Sequence, residues 1–170
     1  VKRQKFIPHI YPEKSPIPEG FDELAIHYHG GTAIAIEAGL LSEDEIRTVN
    51  AQMLENVRLS GMPSIGLTLY PVYPDGFFHG GMSKAYLYQN GGDWTWFGGR
   101  MIQQLVVNGM VEEAYAEIHP MIERVIQNDG FYEWYGKGGV PSGSGNFKGS
   151  AGVLAKASEL LSEWAEKNKS

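Results

Sequence analysis

The sequence predicts a mainly α domain of antiparallel αα-hairpins, with long aromatic- and glycine-rich loops at one end of the stack. Three observations carry that expectation. Apolar residues recur at helical spacing in five segments. Helix caps and breakers stand where those periods start and stop. The links between segments alternate between tight and long, and tight links give antiparallel neighbours.

The first segment, "TAIAIEAGLL" (32–41), is too rich in Ala and Leu to be a loop. Ser42 and Glu45 then form a capping box, in which the Ser side chain accepts from a free helix N–H and the Glu reaches back to the cap. Ile46, Val49, Met53 and Val57 follow at helical spacing, and Gly61 ends the helix. "TWFGGRMIQQLVVNGM" (95–110) reads as a third helix despite its glycines. "VEEAYAEIHPMIERVIQNDG" (111–130) reads as a fourth, with Ala114, Ile118, Met121, Ile122, Val125 and Ile126 on one side. Pro120 inside it should kink it or remove one hydrogen bond. The last helix, 148–168, has Val153, Leu154, Ala157, Leu160, Leu161 and Trp164 as its expected buried face. The links "LLSEDE" and "NGMVEE" are tight, whereas residues 61–94 and 130–147 form long connections. Loops longer than about 12–15 residues are usually functional or disordered, and these are too aromatic for disorder.

At 170 residues the chain suits one domain with a sizeable core. Residues 1–21 hold four of the nine prolines and read as an extended arm, leaving 22–170 as the helical unit. The net charge of −6 and the lack of a Lys/Arg cluster argue against nucleic acid. No apolar run approaches the roughly 20 residues that span a bilayer. The absence of cysteine removes disulfides, thiol nucleophiles and thiolate metal sites. The chain begins with neither Met nor a signal peptide, so it is expected to be the later part of a longer protein.

Three clusters hold the candidate chemistry: 21–33, 70–100 and 131–152. On the hairpin scheme all converge at one face. Carbohydrate recognition needs flat rings against the C–H faces of a sugar, a few polar groups for its hydroxyls, and glycines that let backbone come close. Tyr88, Trp94, Trp96, Phe97, Tyr132, Trp134 and Tyr135 could supply rings, although Trp and Phe are commonly core. Gln89, Asn90, Arg100 and Asn146 could read hydroxyls. Glycoside hydrolysis usually needs two carboxyl groups. Glu133, flanked by aromatics in "FYEWY", is the first candidate, and a partner for Arg or Lys is its plainer reading. Asp93 is second, with an N-cap or turn role as its alternative. Asp22 is a weaker third. His27 and His29, with His79, invite a metal reading, but no thiolate or clear third ligand accompanies them; bonds to a hydroxyl or a loop carbonyl fit them better. "GKGGVPSGSG" lacks phosphate-loop spacing. The sequence implies no cofactor.

"YQNGGDWTWFGGR", then a hairpin, then "FYEWYGKGGVPSGSGNFKGSAGVLAKA" resembles the C-terminal part of the (α/α)6-toroid, or six-hairpin, glycosidases. These include amylo-α-1,6-glucosidases, the mannosyl-oligosaccharide glucosidase and mannosylglycerate hydrolase group, and neutral invertases. The matching positions are Tyr88, Asn90, Gly91, Trp94, Glu133, Tyr135, Gly145, Phe147, Ser150 and Ala151, and the resemblance covers roughly 22–165. It implies an inverting glycosidase in which Glu133 is the general base activating water. Two departures stand out. Gly149 takes a place that is often Trp, and Asp93 one that is usually small or uncharged. The resemblance also implies an Asp general acid from an earlier hairpin, for which this chain shows no counterpart. The chain should therefore be a partial toroid that alone hydrolyses poorly or not at all, with an exposed apolar flank that self-associates or meets the missing N-terminal half. Two alternatives remain: a phosphorylase or epimerase on the same toroid, the latter using His27 and His29, or a non-catalytic carbohydrate-binding or scaffold module.

Overall fold

The computed structural model describes residues 11–14 and 17–169 and shows a mainly helical domain. Its helices are α1 (Thr32–Glu37), α2 (Glu43–Ser60), α3 (Thr95–Val107), α4 (Val111–Gln127) and α5 (Lys148–Lys167). Among the described residues four two-residue strands lie in the connections: β1 (His27–Tyr28), β2 (Leu69–Tyr70), β3 (Trp134–Tyr135) and β4 (Pro141–Ser142). Among the described residues no helix is long and apolar enough to cross a membrane.

The caps act as their residues dictate. The Ser42 hydroxyl accepts from the Glu45 N–H, and the Glu45 carboxylate accepts from the Ser42 N–H at 2.9 Å. Gly61 closes α2 in the left-handed conformation at φ 68°. The short Asn108–Met110 turn folds α4 back along α3. Pro120 lies inside α4 without ending it; a missing N–H removes one bond but leaves the helix continuous.

α3 is the central helix, packed by α5, α4 and α1. Two adjacent glycines make this possible. A Cβ on Gly99 would stand 3.0 Å from Val153 of α5, and one on Gly98 would stand 2.9 Å from the Gly66 nitrogen. Side chains there would hold the neighbours off. The core between these helices includes Met101, Ile102, Leu105, Ile118, Met121 and Leu154, joined by Ile46 and Met53 of α2.

Three residues depart from the expected buried faces. Ile122, Ile126 and Trp164 are exposed, Ile126 at 73%. On α4 the residues 114, 118, 121 and 125 already complete the stripe that meets α3 and α5. Positions 122 and 126 lie one column over, about 100° round the helix, where they share the outer side with exposed Tyr115. An apolar flank is therefore present.

A second, smaller cluster of Ile26, Leu69 and Tyr73 sits under the loops, with Ile17 of the arm against it. The Tyr11 hydroxyl donates to Glu23 at 2.9 Å. Residues 1–10 and 15–16 of the expected arm lie outside the described residues.

Candidate functional site

The two long connections and the 21–33 segment are laced together at one end of the helices. β1 pairs antiparallel with β2, and β3 with β4. Between them run single bridges, Leu67 to Asp93 and Asp93 to Tyr135. Thr68 adds a further stitch: its hydroxyl donates to the Gln89 carbonyl at 2.9 Å and accepts from the Gly91 N–H at 3.0 Å. The convergence read from the link lengths is thus present in the chain's hydrogen bonds.

Tyr88 stands at the tip of a tight turn. The Tyr86 N–H reaches the Asn90 carbonyl, and the Asn90 N–H reaches Leu87. Tyr88 has φ 49°, a conformation costing roughly 1–2 kcal/mol for a residue with a Cβ. Its carbonyl is held from two sides, by the Gly92 N–H at 3.0 Å and the Trp94 indole N–H at 3.1 Å. These bonds fix the tyrosyl ring edge-on to Trp94, with centroids 4.9 Å apart, and to Trp134 at 6.3 Å. Trp94 in turn meets Phe147 edge-on at 6.1 Å. Trp96 meets Phe97 at 5.1 Å, and the Arg100 guanidinium lies 5.0 Å from the Trp96 ring centre. Arg100 is also paired with Glu37 of α1 at 3.2 Å.

Tyr88, Trp96, Tyr132, Trp134, Phe97 and Phe147 are each partly exposed, so the ends of the two connections present a broken aromatic face. Gln89 and Asn146 are exposed beside it. Gly149 explains its own presence: a Cβ there would come within 2.8 Å of Trp96 and 2.9 Å of Phe147. Trp at 149 and the observed Trp96 would compete for one volume.

Several expected contact residues lie beneath this face instead of on it. Trp94 and Tyr135 are buried and support the exposed rings. Asn90 is fully buried, and its amide spans Tyr73, accepting from the N–H at 2.9 Å and donating to the carbonyl at 3.2 Å. That is a backbone mimic's role, open to Asn because one side chain carries both donor and acceptor. His29 is buried as well. Asn56 contacts its Nε2 at 2.9 Å, and Gln52 fixes the Asn56 amide by donating to its oxygen at 3.0 Å. Burial, reinforced by neighbouring His27, lowers the His29 pKa to about 3, so the ring is neutral. His27 is partly exposed on β1. Among the described residues no group of three or more His, Cys, Asp or Glu is placed to hold a metal ion.

The two carboxylates are in contrasting settings. Asp93 is fully buried. Its Oδ1 is 2.8 Å from Arg124 Nη1, and the Ser64 hydroxyl lies 2.8 and 2.7 Å from its two oxygens. Burial pushes its pKa up, while Arg124 and Ser64 oppose the rise. Asp93 is a strut within the fold, with no open side toward a ligand. Glu133 is partly exposed. Its carboxylate lies over Gly143, where a Cβ would fall 2.4 Å from Oε2, and accepts from the Ser144 N–H at 3.3 Å. Trp134, its neighbour in sequence, leans instead on Tyr88.

Arg124, Ser64, Thr95 and Gly66 complete this node and escaped the sequence reading. Arg124 carried a usable signal: a guanidinium on the apolar side of α4 requires a buried partner. In comparison with known protein families and with curated proteins, no family model and no curated protein matched the chain.

Proposed function

We propose that this chain is a carbohydrate-binding portion of an inverting glycoside hydrolase, with Glu133 the general base. The single observation that carries the reading is the aromatic face. Rings from three parts of the chain are presented together, partly exposed, on backbone that spends strain at Tyr88 to hold one of them. Strain of this kind collects where a ring must stand in one place. Tyr88, Trp134 and Trp96 would meet the sugar's C–H faces, Gln89 and Arg100 its hydroxyls, and Tyr132 and His27 the flanks. Glu133 would activate water from the edge of this face. Inverting enzymes place acid and base about 6.5–9.5 Å apart, and with Asp93 locked against Arg124 the acid would come from another segment or chain. The exposed flank of α4 is the surface on which such a neighbour, or a second copy, would pack.

A specific observation favours the non-catalytic alternative: Glu133 rests on the Gly143–Ser144 backbone while Trp134 faces Tyr88. The two readings separate in one experiment. Titrating oligosaccharides by calorimetry into wild-type and Glu133→Gln chains, alongside hydrolysis assays on the full gene product, gives a clear division. The hydrolase reading expects binding to persist in E133Q and turnover to fall about 10²–10⁴-fold. Undiminished turnover removes Glu133 as the base. Wild-type protein that binds no oligosaccharide removes the carbohydrate reading itself.

A further inference from the structure

The buried polar node under the aromatic face has a geometry that filling space does not require. Arg124 extends from α4 and is itself buried. Its planar head touches three things at once. Nη1 lies 2.8 Å from Asp93, Nη2 donates to the Thr95 hydroxyl at 2.7 Å, and the guanidinium carbon sits 4.1 Å from the Tyr135 ring centre. Asp93 and Tyr135 are also joined main chain to main chain in both directions, at 2.9 and 2.8 Å. Ser64 also binds the Asp93 carboxylate, and the Gly66 carbonyl accepts from the Trp94 N–H at 2.8 Å.

These contacts fall at informative places in the chain. Asp93 precedes Trp94 and closes the loop that carries Tyr88. Tyr135 follows Trp134 and Glu133. One guanidinium therefore grips both connections, one residue from the partly exposed Trp134 on one and one residue from Trp94, the buried support of the Tyr88 ring, on the other. Apolar side chains of similar volume often replace a buried ion pair without loss of stability. What they would not reproduce is direction: a flat, five-donor head fixes the carboxylate, the hydroxyl and the ring in one relation.

We propose that Arg124 is a positioning residue for the aromatic face, setting through Asp93 and Tyr135 how the Tyr88 loop stands relative to the Glu133–Trp134 strand. Its bearing on sugar binding rests on the carbohydrate reading above; its bearing on the geometry does not. Asp93, a catalytic candidate by sequence, takes the role of intermediary. Lysine at 124 would keep the charge and lose both the fork and the stacking plane.

The test uses the full 170-residue chain as wild type, R124K and the double variant D93N/R124M. Amide exchange is read residue by residue, together with near-ultraviolet circular dichroism of the Tyr/Trp cluster and fluorescence titration with maltotriose. The expected result is local. Exchange at Asp93 and Tyr135 accelerates tenfold or more, amides of Met101, Leu105 and Leu154 keep wild-type rates, and the aromatic dichroism falls. Maltotriose affinity drops about tenfold, the loss of one aligned ring contact of about 1.4 kcal/mol. A folded R124K with wild-type exchange at Asp93 and Tyr135 overturns the proposal. So does uniform acceleration across all helices, which is what a merely stabilising residue would give. Should R124K fail to fold, the D93N/R124M double variant, which removes the guanidinium without leaving a buried charge unpaired, decides on the same criteria. If wild type ignores maltotriose while the local exchange change appears, the carbohydrate reading fails and the positioning role stands.

Discussion

Glu117 gives the most direct quantitative handle on this fold. It lies on the inner side of α4, one turn from fully buried Ala114 and Met121. Burial pushes its carboxyl pKa up to about 7 from the ordinary 4.5. Because the folded pKa exceeds the unfolded one, the native state holds the proton more tightly. The penalty is absent below pH 4.5, grows as the pH rises to 7, and is constant above that. At about 1.36 kcal/mol per unit the shift has a ceiling of about 3 kcal/mol; residual exposure of the carboxylate reduces this to about 1–2 kcal/mol. Glu117→Gln should therefore be more stable than wild type by about 1–2 kcal/mol at pH 8 relative to the difference at pH 4. For a chain of this length that is a rise in Tm of about 2–8 °C. Urea unfolding of both proteins at the two pH values measures the difference directly. An E117Q increment that is the same at pH 4 and pH 8 refutes the reasoning.

His29 pulls the other way. Its folded pKa of about 3 lies below the ordinary 6.5, so the stability present above pH 6.5 is lost as the pH falls toward 3. The two slopes offset one another between about pH 4.5 and 6.5, and the E117Q chain should uncover the His29 slope there, a loss of stability on acidification that a further His29→Gln change makes shallower. At Gly66 a Cβ would stand 2.3 Å from the Asp93 carboxylate and 2.5 Å from the Trp94 carbonyl. Gly66→Ala should destabilise by about 3 kcal/mol, whereas Gly152→Ala, with nothing within 4 Å, should stabilise α5 by about 0.5–1 kcal/mol; thermal melts of the pair decide whether close approach or glycine content matters. On the outer side of α4, Ile126→Glu should reduce concentration-dependent self-association in sedimentation velocity, and equal sedimentation of the two chains counts against that flank as a contact surface.

The helices were legible because their signals are local. Ser42, Glu45 and Gly61 speak for the ends of α2 without reference to anything distant, and the link at Asn108–Gly109 requires α4 to turn back. The convergence of the loops followed from link lengths alone. Which aromatic residues face outward did not, because Trp94 and Trp96 differ by two positions in one glycine-rich stretch and only packing by Tyr88 and Phe147 separates them. The same holds for the polar residues. Asn90 and Asp93 look like ligand-reading groups in sequence, yet their partners are the Tyr73 backbone and, 31 positions downstream, Arg124. Local pattern carries no record of such pairings. His29 was concealed for a similar reason, since its partner Asn56 lies on the following long helix.

The glycine-on-glycine approach of α3 to the 64–66 backbone has a consequence for anyone remodelling this molecule. Exchanging a ring at 88, 96 or 134 leaves in place the bonds that join the connections beneath it, because those run main chain to main chain. Transplanting the loop that bears Tyr88 is another matter, because it would have to travel with Ser64–Gly66, with the start of α3 and with Arg124 on a different helix. The aromatic face is open to tinkering while its foundation moves as a block.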